Sequence, residues 1–371
     1  MSESIKKICH ITTVHPRYDI RIFYKECLSL ASVFEVYLIV ADGKGDEIIR
    51  NINIVDVLKG SQSRSTRILC TSRRAYKKAL ALDCEIYHFH DPELLFYGLM
   101  LKLKGKEVIY DVHEDLPKQI LSKSYINPIL RKLYSKLIIL TEKFIAPRLS
   151  SIVVVTQSIN SRFSKLNKKC YIINNYPKFE EYGFKNNILR KDNEICYIGS
   201  ITKVRGIEEL IDSLEHIDLC LNLAGNFESD SFKDLLMSKT GWKKANYLGF
   251  ISPKETYEVM LRSFAGVSTL YPEPNYLTAQ ATKIFEYMYA GIPVIASNFP
   301  LWKEFIDKNK CGICVDPKDP VSIADAIIYL KNNPDIAKQM GENGKQAVVS
   351  KYSWKTEEQK LIDLYLKTLS F

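Results

Sequence analysis

The sequence predicts an α/β protein of two tandem domains, each a parallel sheet covered by helices on both faces. Three observations predict it. Short runs rich in β-branched and aromatic residues alternate with longer segments of helical period. The runs are continuously apolar, the mark of strands buried on both sides. The pattern stops at a polar, charged segment over 176–193 and then restarts. A chain of 371 residues holds two domains of ordinary size.

In the first half KICHIT, EVYLIVA, EIYHFH, EVIYDV, SIVVVT and CYII read as strands. Between the first two, RIFYKECLSLASV places Ile22, Cys27, Leu28 and Ala31 near one helical face. The second half opens with EICYIG and a helix over 207–214. Strands LCLNLAG, NYLGF, GVSTLY and PVIAS follow, and the helix in TAQATKIFEYMYAGIP ends at Gly291. In such sheets ligands sit outside the carboxyl ends of the strands, so two facing domains are expected to enclose a cleft.

Composition narrows the function classes. The chain is 46% apolar and 26% charged, as folded, soluble proteins are. The N-terminus lacks the apolar core of a signal peptide, and no run approaches the ~20 apolar residues that cross a bilayer, so a cytoplasmic location is expected. Nine unpatterned cysteines predict reduced thiols. Cys311 and Cys314 form a lone C-x-x-C, with no second pair or nearby histidine to complete a metal site.

The net charge of +9 is concentrated in the first half, which suggests that this half faces something anionic. RSTRILCTSRRAYKKAL spaces Arg67, Arg74 and Lys78 on one helical face. PILRKLYSKLIILTEKF is amphipathic, with Arg131, Lys132, Lys136 and Lys143 away from much of its apolar stripe. Each alone reads as a covering helix with a solvated basic face; with the charge asymmetry they suggest peripheral contact with an anionic membrane. No DNA- or RNA-binding module accompanies the charge, so nucleic acid is not expected as a partner.

EICYIGSITKVRGIEELIDSL reads as strand, glycine turn, basic loop and helix. Gly199 lets the chain leave the strand tightly. Lys203 and Arg205 put positive charge just before the helix, an arrangement suited to phosphate. Glu286 lies in a largely apolar helix, where a carboxylate needs donors. A ribose diol would supply two; an ion pair with Lys283 is the structural alternative.

The runs G-S-I-T-K-V-R-G, A-G-N, Y-L-G-F and T-K-I-F-E-Y-M-Y-A-G-I-P-V-I-A-S, continued by W-K-E-F-I, C-G-I-C-V-D-P and Y-S-W, resemble the C-terminal half of family-4 retaining glycosyltransferases. The likeness covers most of the chain in order. It implies the GT-B fold: two Rossmann-like domains, here 1–178 on the acceptor side and 179–354 for the donor, with a helix near 355–371 packing back on the first. It implies sugar transfer, with retention, from a nucleotide-diphosphate donor to a glycan or lipid-linked acceptor in polysaccharide or lipopolysaccharide assembly, without cofactor or metal. Arg205 would stabilise the diphosphate as it leaves, Glu286 would hold the donor ribose, and backbone amides at Leu277, Thr278 and Ala279 would cradle phosphate and sugar. Two positions depart from the family. Many members carry a second glutamate where this chain has Thr278, and an arginine where it has Ser200. Lys203 is the candidate to replace that charge.

Five of the six histidines fall in the first domain. His88 and His90 are two apart on a strand and share a face. With Asp91 they would make a metal site, against which the resemblance argues. His113 ends D-V-H-E; family members of this type carry a histidine here that reaches the donor sugar or the departing phosphate. A neutral imidazole at that place would donate to a sugar hydroxyl or hold the reacting groups. In HITTVHPRYDIRI, Asp19 is a candidate helix cap. His15, Arg17 and Arg21, with His90, are candidates to meet an acceptor or a phosphate. Two alternatives stay open: a nucleotide-sugar epimerase on the same scaffold, and a nucleotide-sugar-binding subunit without turnover. A nicotinamide dehydrogenase is disfavoured because no G-x-G-x-x-G follows the early strands.

Overall fold

The computed structural model describes residues 5–58, 70–122, 126–179, 189–274, 276–277 and 281–370. Arg67, Thr278 and Ala279, named above, lie outside them. The chain forms two compact units: Met1–Asn175 with Trp354–Phe371, and Tyr176–Ser353.

In the first unit, β1 (Lys7–Ile11), β2 (Glu35–Val40), β3 (Glu47–Ile49), β4 (Ile52–Asp56), β5 (Ile86–Phe89), β6 (Glu107–Val112), β7 (Ser151–Val154) and β8 (Cys170–Ile172) form one sheet. Its order is β3-β4-β2-β1-β5-β6-β7-β8. Every pairing is parallel except that of β3 with β4. On one face Tyr87, Phe89, Tyr110 and Ile152 pack with Ala75, Ala79, Leu95 and Leu99 of the helices Ser72–Leu82 and Leu95–Leu103. On the other, Ile8, Ile86 and Ile109 pack with Trp354, Leu361 and Tyr365 of the C-terminal helix Trp354–Leu369. That helix is pinned by Trp354 Nε1, which donates to Ser29 Oγ at 2.9 Å, and by Glu357, which accepts from the Asn174 N–H at 2.7 Å.

The segment after β1 departs from the expected regular helix. Ile22–Cys27 winds as a wider π-type turn before the short helix Leu28–Leu30. Five of its residues are buried, Ile22, Phe23, Lys25, Glu26 and Cys27, so a carboxylate comes to lie on the sheet.

The helix Pro128–Ile145 is amphipathic as expected but faces the other way from an ordinary covering helix. Ser135 and Glu142 are buried with Ile145, while Ile129, Leu133, Leu137, Leu140 and Phe144 are exposed. Arg162 holds Glu142 inside through an ion pair.

In the second unit, β9 (Glu194–Ile198), β10 (Cys220–Ala224), β11 (Ala245–Gly249), β12 (Ala265–Ser268), β13 (Val294–Ser297) and β14 (Gly312–Val315) form an all-parallel sheet in the order β11-β10-β9-β12-β13-β14. Strand β9 joins β10 on one side and β12 on the other. The direction of strand addition therefore reverses between β9 and β12, the topological switch point where such sheets bind ligands. Tyr197, Leu210 and Val267 belong to one core layer, and Cys196, Tyr287 and Val294 to the other.

Candidate functional site

In the second unit three strand ends crowd together around glycines. Gly199 follows β9 and Gly225 follows β10, each with φ of 141°. A Cβ on Gly225 would lie 1.9 Å from the Gly199 carbonyl oxygen. Gly206 (φ 65°) opens the helix Ile207–Ser213, and a Cβ there would lie 2.1 Å from the Thr269 carbonyl oxygen just beyond β12. The backbones touch because no side chain separates them. The turn Lys203–Arg205 is tied to the same place by the Tyr271 N–H, which donates to the Val204 carbonyl at 2.8 Å.

At Gly199 the missing side chain leaves room for two cations. A Cβ there would fall 2.3 Å from Lys283 Nζ and 3.7 Å from a guanidinium nitrogen of Arg205. Burial lowers the Lys283 pKa, the Arg205 charge adds to that, and Glu286 opposes both. One ammonium thus feels Arg205 and Glu286 together, and the two cations converge on the end of β9. The Tyr197 hydroxyl beside Arg205 donates to the Ser200 carbonyl at 2.8 Å.

Tyr287 fixes the helix that carries Lys283 and Glu286, Thr282–Ala290. Its hydroxyl accepts from the Ile198 N–H at 3.3 Å and donates to the Val267 carbonyl at 3.2 Å, bridging β9 and β12. Its ring fills the space over Gly266, where a Cβ would meet it at 2.3 Å. The helix ends at Gly291, φ 71°, as the sequence predicts.

The other donor-side candidates fare unevenly. Lys203 and Ser200 are exposed. The second cation at Gly199 is Lys283, which sequence reasoning named only as a partner for Glu286; its position three residues before that carboxylate was the available signal. The Leu277 N–H donates to the Glu273 carbonyl at 3.1 Å, so this amide is not offered to a phosphate.

In the first unit the sheet itself gathers the histidines. His10 pairs with His88 across β1 and β5, and His90 continues the same face. Their rings lie 4.7 to 5.2 Å apart. Asp111 of β6 and His113 follow alongside, with Arg21, Glu26 and Tyr365 packed over them.

The charges of this cluster follow from its burial and its partners. Burial raises the Asp111 carboxyl, but Arg21 and then His113 outweigh it and hold the group well below the usual carboxylate range. Arg21 donates to both Asp111 oxygens, at 2.9 and 3.1 Å. His113 Nε2 at 2.9 Å and His90 Nδ1 at 3.3 Å face Asp111 Oδ2, and the two nitrogens lie 3.1 Å from each other. Burial lowers the pKa of His90 to about 4, and those of His10 and His88 well below the ordinary value, so all three are neutral. His90 Nε2 lies 2.9 Å from His10 Nδ1, and His10 Nε2 lies 3.0 Å from the Tyr365 hydroxyl, one continuous hydrogen-bonded chain. The same hydroxyl lies 2.7 Å from His88 Nδ1, and His88 Nε2 is buried with no hydrogen-bond partner. At the other end His113 keeps 18% of its side chain exposed, with Nε2 held on Asp111 at 2.9 Å.

Two groups in the cluster have metal-binding composition: His10, Glu26, His88 and His90, and His90, Asp111 and His113. Arg21 already supplies a buried positive charge there, its Nε lying 2.9 Å from both Glu26 and Asp111. Glu26 accepts no hydrogen bond, and burial raises its pKa against the pull of Arg21.

The expected phosphate loop is corrected at three positions. Arg17 is 4% exposed and donates to Asp42, Glu47 and the Gly45 carbonyl at 2.7 to 2.9 Å. Arg21 is committed to Asp111 and Glu26, and His90 is 2% exposed. None of the three offers a group to a ligand. His15 does reach the surface, 3.4 Å from Asp19 and 3.5 Å from Asp91, its ring 5.0 Å from that of His113. Burial would lower its pKa, but the Asp19 hydrogen bond and the Asp91 charge outweigh it and raise it. Asp19 also caps the following turn, accepting from the Arg21 and Ile22 N–H groups at 2.8 and 2.9 Å.

Comparison with known proteins bears on both units. The family model "Glycosyl transferases group 1" matches residues 178–347, and "Glycosyltransferase Family 4" matches 21–176. An uncharacterized glycosyltransferase of Methanocaldococcus jannaschii is 28% identical over 193 residues, 50% of this chain and 48% of that protein. Glycogen synthase of Mycobacterium tuberculosis is 23% identical over 47% of this chain and 42% of its own. The matches thus span less than half of these curated relatives. Among solved structures, sucrose-phosphate synthase from Thermosynechococcus elongatus superposes with a TM-score of 0.78 at 16% identity, covering 98% of this chain and 99% of the other. Anabaena HepE in complex with UDP-glucose gives 0.71 at 14% identity, covering 98% and 99%. At these identities the structures establish a shared fold: two Rossmann-like units of the GT-B kind.

Proposed function

The chain belongs to the GT-B glycosyltransferases, and from that premise we propose that it transfers a hexosyl group from a nucleotide-diphosphate sugar to a glycan or lipid-linked acceptor. One observation carries the donor side: Arg205 and Lys283 meet at Gly199, at the switch point of the second sheet, and Glu286 lies close enough to act on the Lys283 charge. The two cations suit a diphosphate and stabilise its charge as the glycosidic bond loosens. Glu286 accepts from the ribose hydroxyls, as the likeness to family 4 implies. His113 Nδ1, oriented through Nε2 by Asp111, accepts a hydrogen bond from a hydroxyl of the sugar or acceptor. Retention, a cytoplasmic site of action and a place in surface-polysaccharide assembly extend the same resemblance, and turnover is expected to survive chelation by EDTA.

Turnover of a panel of nucleotide sugars by the purified chain tests this reading. Arg205→Ala and Glu286→Ala should each lower kcat/KM by about 100-fold, the scale of losing one electrostatic contact to the leaving group. Undiminished turnover in both variants would reject the donor assignment.

A further inference from the structure

The helix Pro128–Ile145 presents to solvent the face that a globular protein ordinarily hides. Its 18 residues span about 27 Å. Ile129, Leu133, Leu137, Leu140 and Phe144 follow one another at helical spacing, so they form one stripe. Ile129 is 77% exposed, Leu140 61% and Phe144 58%. Single exposed apolar residues are ordinary; a contiguous row of five is not.

The polar side chains state what kind of partner fits. Lys132, Lys136 and Lys143 run along one edge of the stripe at helical spacing. The one acid of the helix, Glu142, is buried against Arg162. The outward face is therefore apolar in the middle, basic at its edge and free of acid. A second copy packed antiparallel on this face would bring the two cationic rows to the same edge, like charge beside like. Among the described residues no helix is long and apolar enough to cross a membrane, so this one would lie flat.

We propose that this helix docks the chain on an anionic phospholipid surface, with the Ile129–Leu133–Leu137–Leu140–Phe144 stripe inserted among the acyl chains and the lysine row on the lipid phosphates. The surface belongs to the first unit alone, and the proposal stands independently of the donor site.

Vesicle co-sedimentation of the full chain tests it, using phosphatidylcholine with and without phosphatidylglycerol. The wild-type chain should pellet with the anionic vesicles and be released as salt rises. The double variant Leu137→Asp, Leu140→Asp should bind at least ten-fold more weakly with unchanged circular dichroism, because both sites are exposed. Lys132→Glu with Lys136→Glu should abolish the preference for anionic vesicles. Equal binding by the Leu137→Asp, Leu140→Asp chain, no binding by the wild type, or a wild-type dimer that the same pair separates would overturn the proposal. Donor turnover without vesicles, run on the same samples, keeps the two readings apart: its absence beside intact vesicle binding counts against the transferase assignment only.

Discussion

Arg17 donates to Asp42, Glu47 and the Gly45 carbonyl, whereas Arg205 stands half-buried beside Gly199. Both follow a strand in a short loop, so sequence position alone does not separate them. What separates them is the acids each meets; Arg17 finds Asp42 25 residues away, and Arg21 finds Asp111 90 residues away. Lys203 and Lys283 invert in the same way: the cation written next to Arg205 points to solvent, and the one written beside Glu286 covers the glycine. Lys283→Ala should therefore raise the KM for the donor about ten-fold or more, whereas Lys203→Ala should change it less than three-fold, the loss of a charge contact on phosphate against that of a solvated one. Steady-state kinetics on both variants decide it, and equal effects would contradict the placement.

At the scale of elements, what was readable depended on whether local pattern decides the outcome. The strand, glycine turn and helix around Gly199, and the Glu286 helix with its stop at Gly291, follow from composition and periodicity, and the structure has them. Periodicity in Pro128–Ile145 marks an apolar stripe but not the direction it faces, which the buried Glu142–Arg162 pair decides. The turn after β1 is likewise set by distant partners: Asp91 accepts from Thr12, the Thr13 N–H and the Val14 N–H, and His15 sits between Asp91 and Asp19. The His15 pKa is raised in the fold, so its contribution is complete below about 6.5 and is lost as pH rises through the folded value. The Asp19 carboxyl is depressed, so its contribution is present above about 3.9 and is lost as pH falls further. The pair therefore steadies this loop most in mildly acid solution. An NMR titration should place the His15 midpoint above 6.5, moving down in Asp19→Asn; a wild-type midpoint at or below 6.5 would contradict the geometry.

The whole molecule repeats one architecture and uses it differently in each unit. In the first, the carboxyl ends of β1, β5 and β6 carry a sealed histidine cluster with one imidazole, His113, at its outer end. In the second, the carboxyl ends of β9 and β10 carry glycines, and the emptied space at Gly199 holds two cations, Lys283 and Arg205, with Glu286 acting on the Lys283 charge. That second arrangement is the basis for reading the chain as an enzyme that handles nucleotide sugars. Crystals of the chain grown with a nucleoside diphosphate test it most directly. The diphosphate is expected within hydrogen-bond distance of Arg205 and Lys283, with the ribose hydroxyls on Glu286. A nucleotide bound away from Gly199, or one whose ribose leaves Glu286 untouched, would contradict the account.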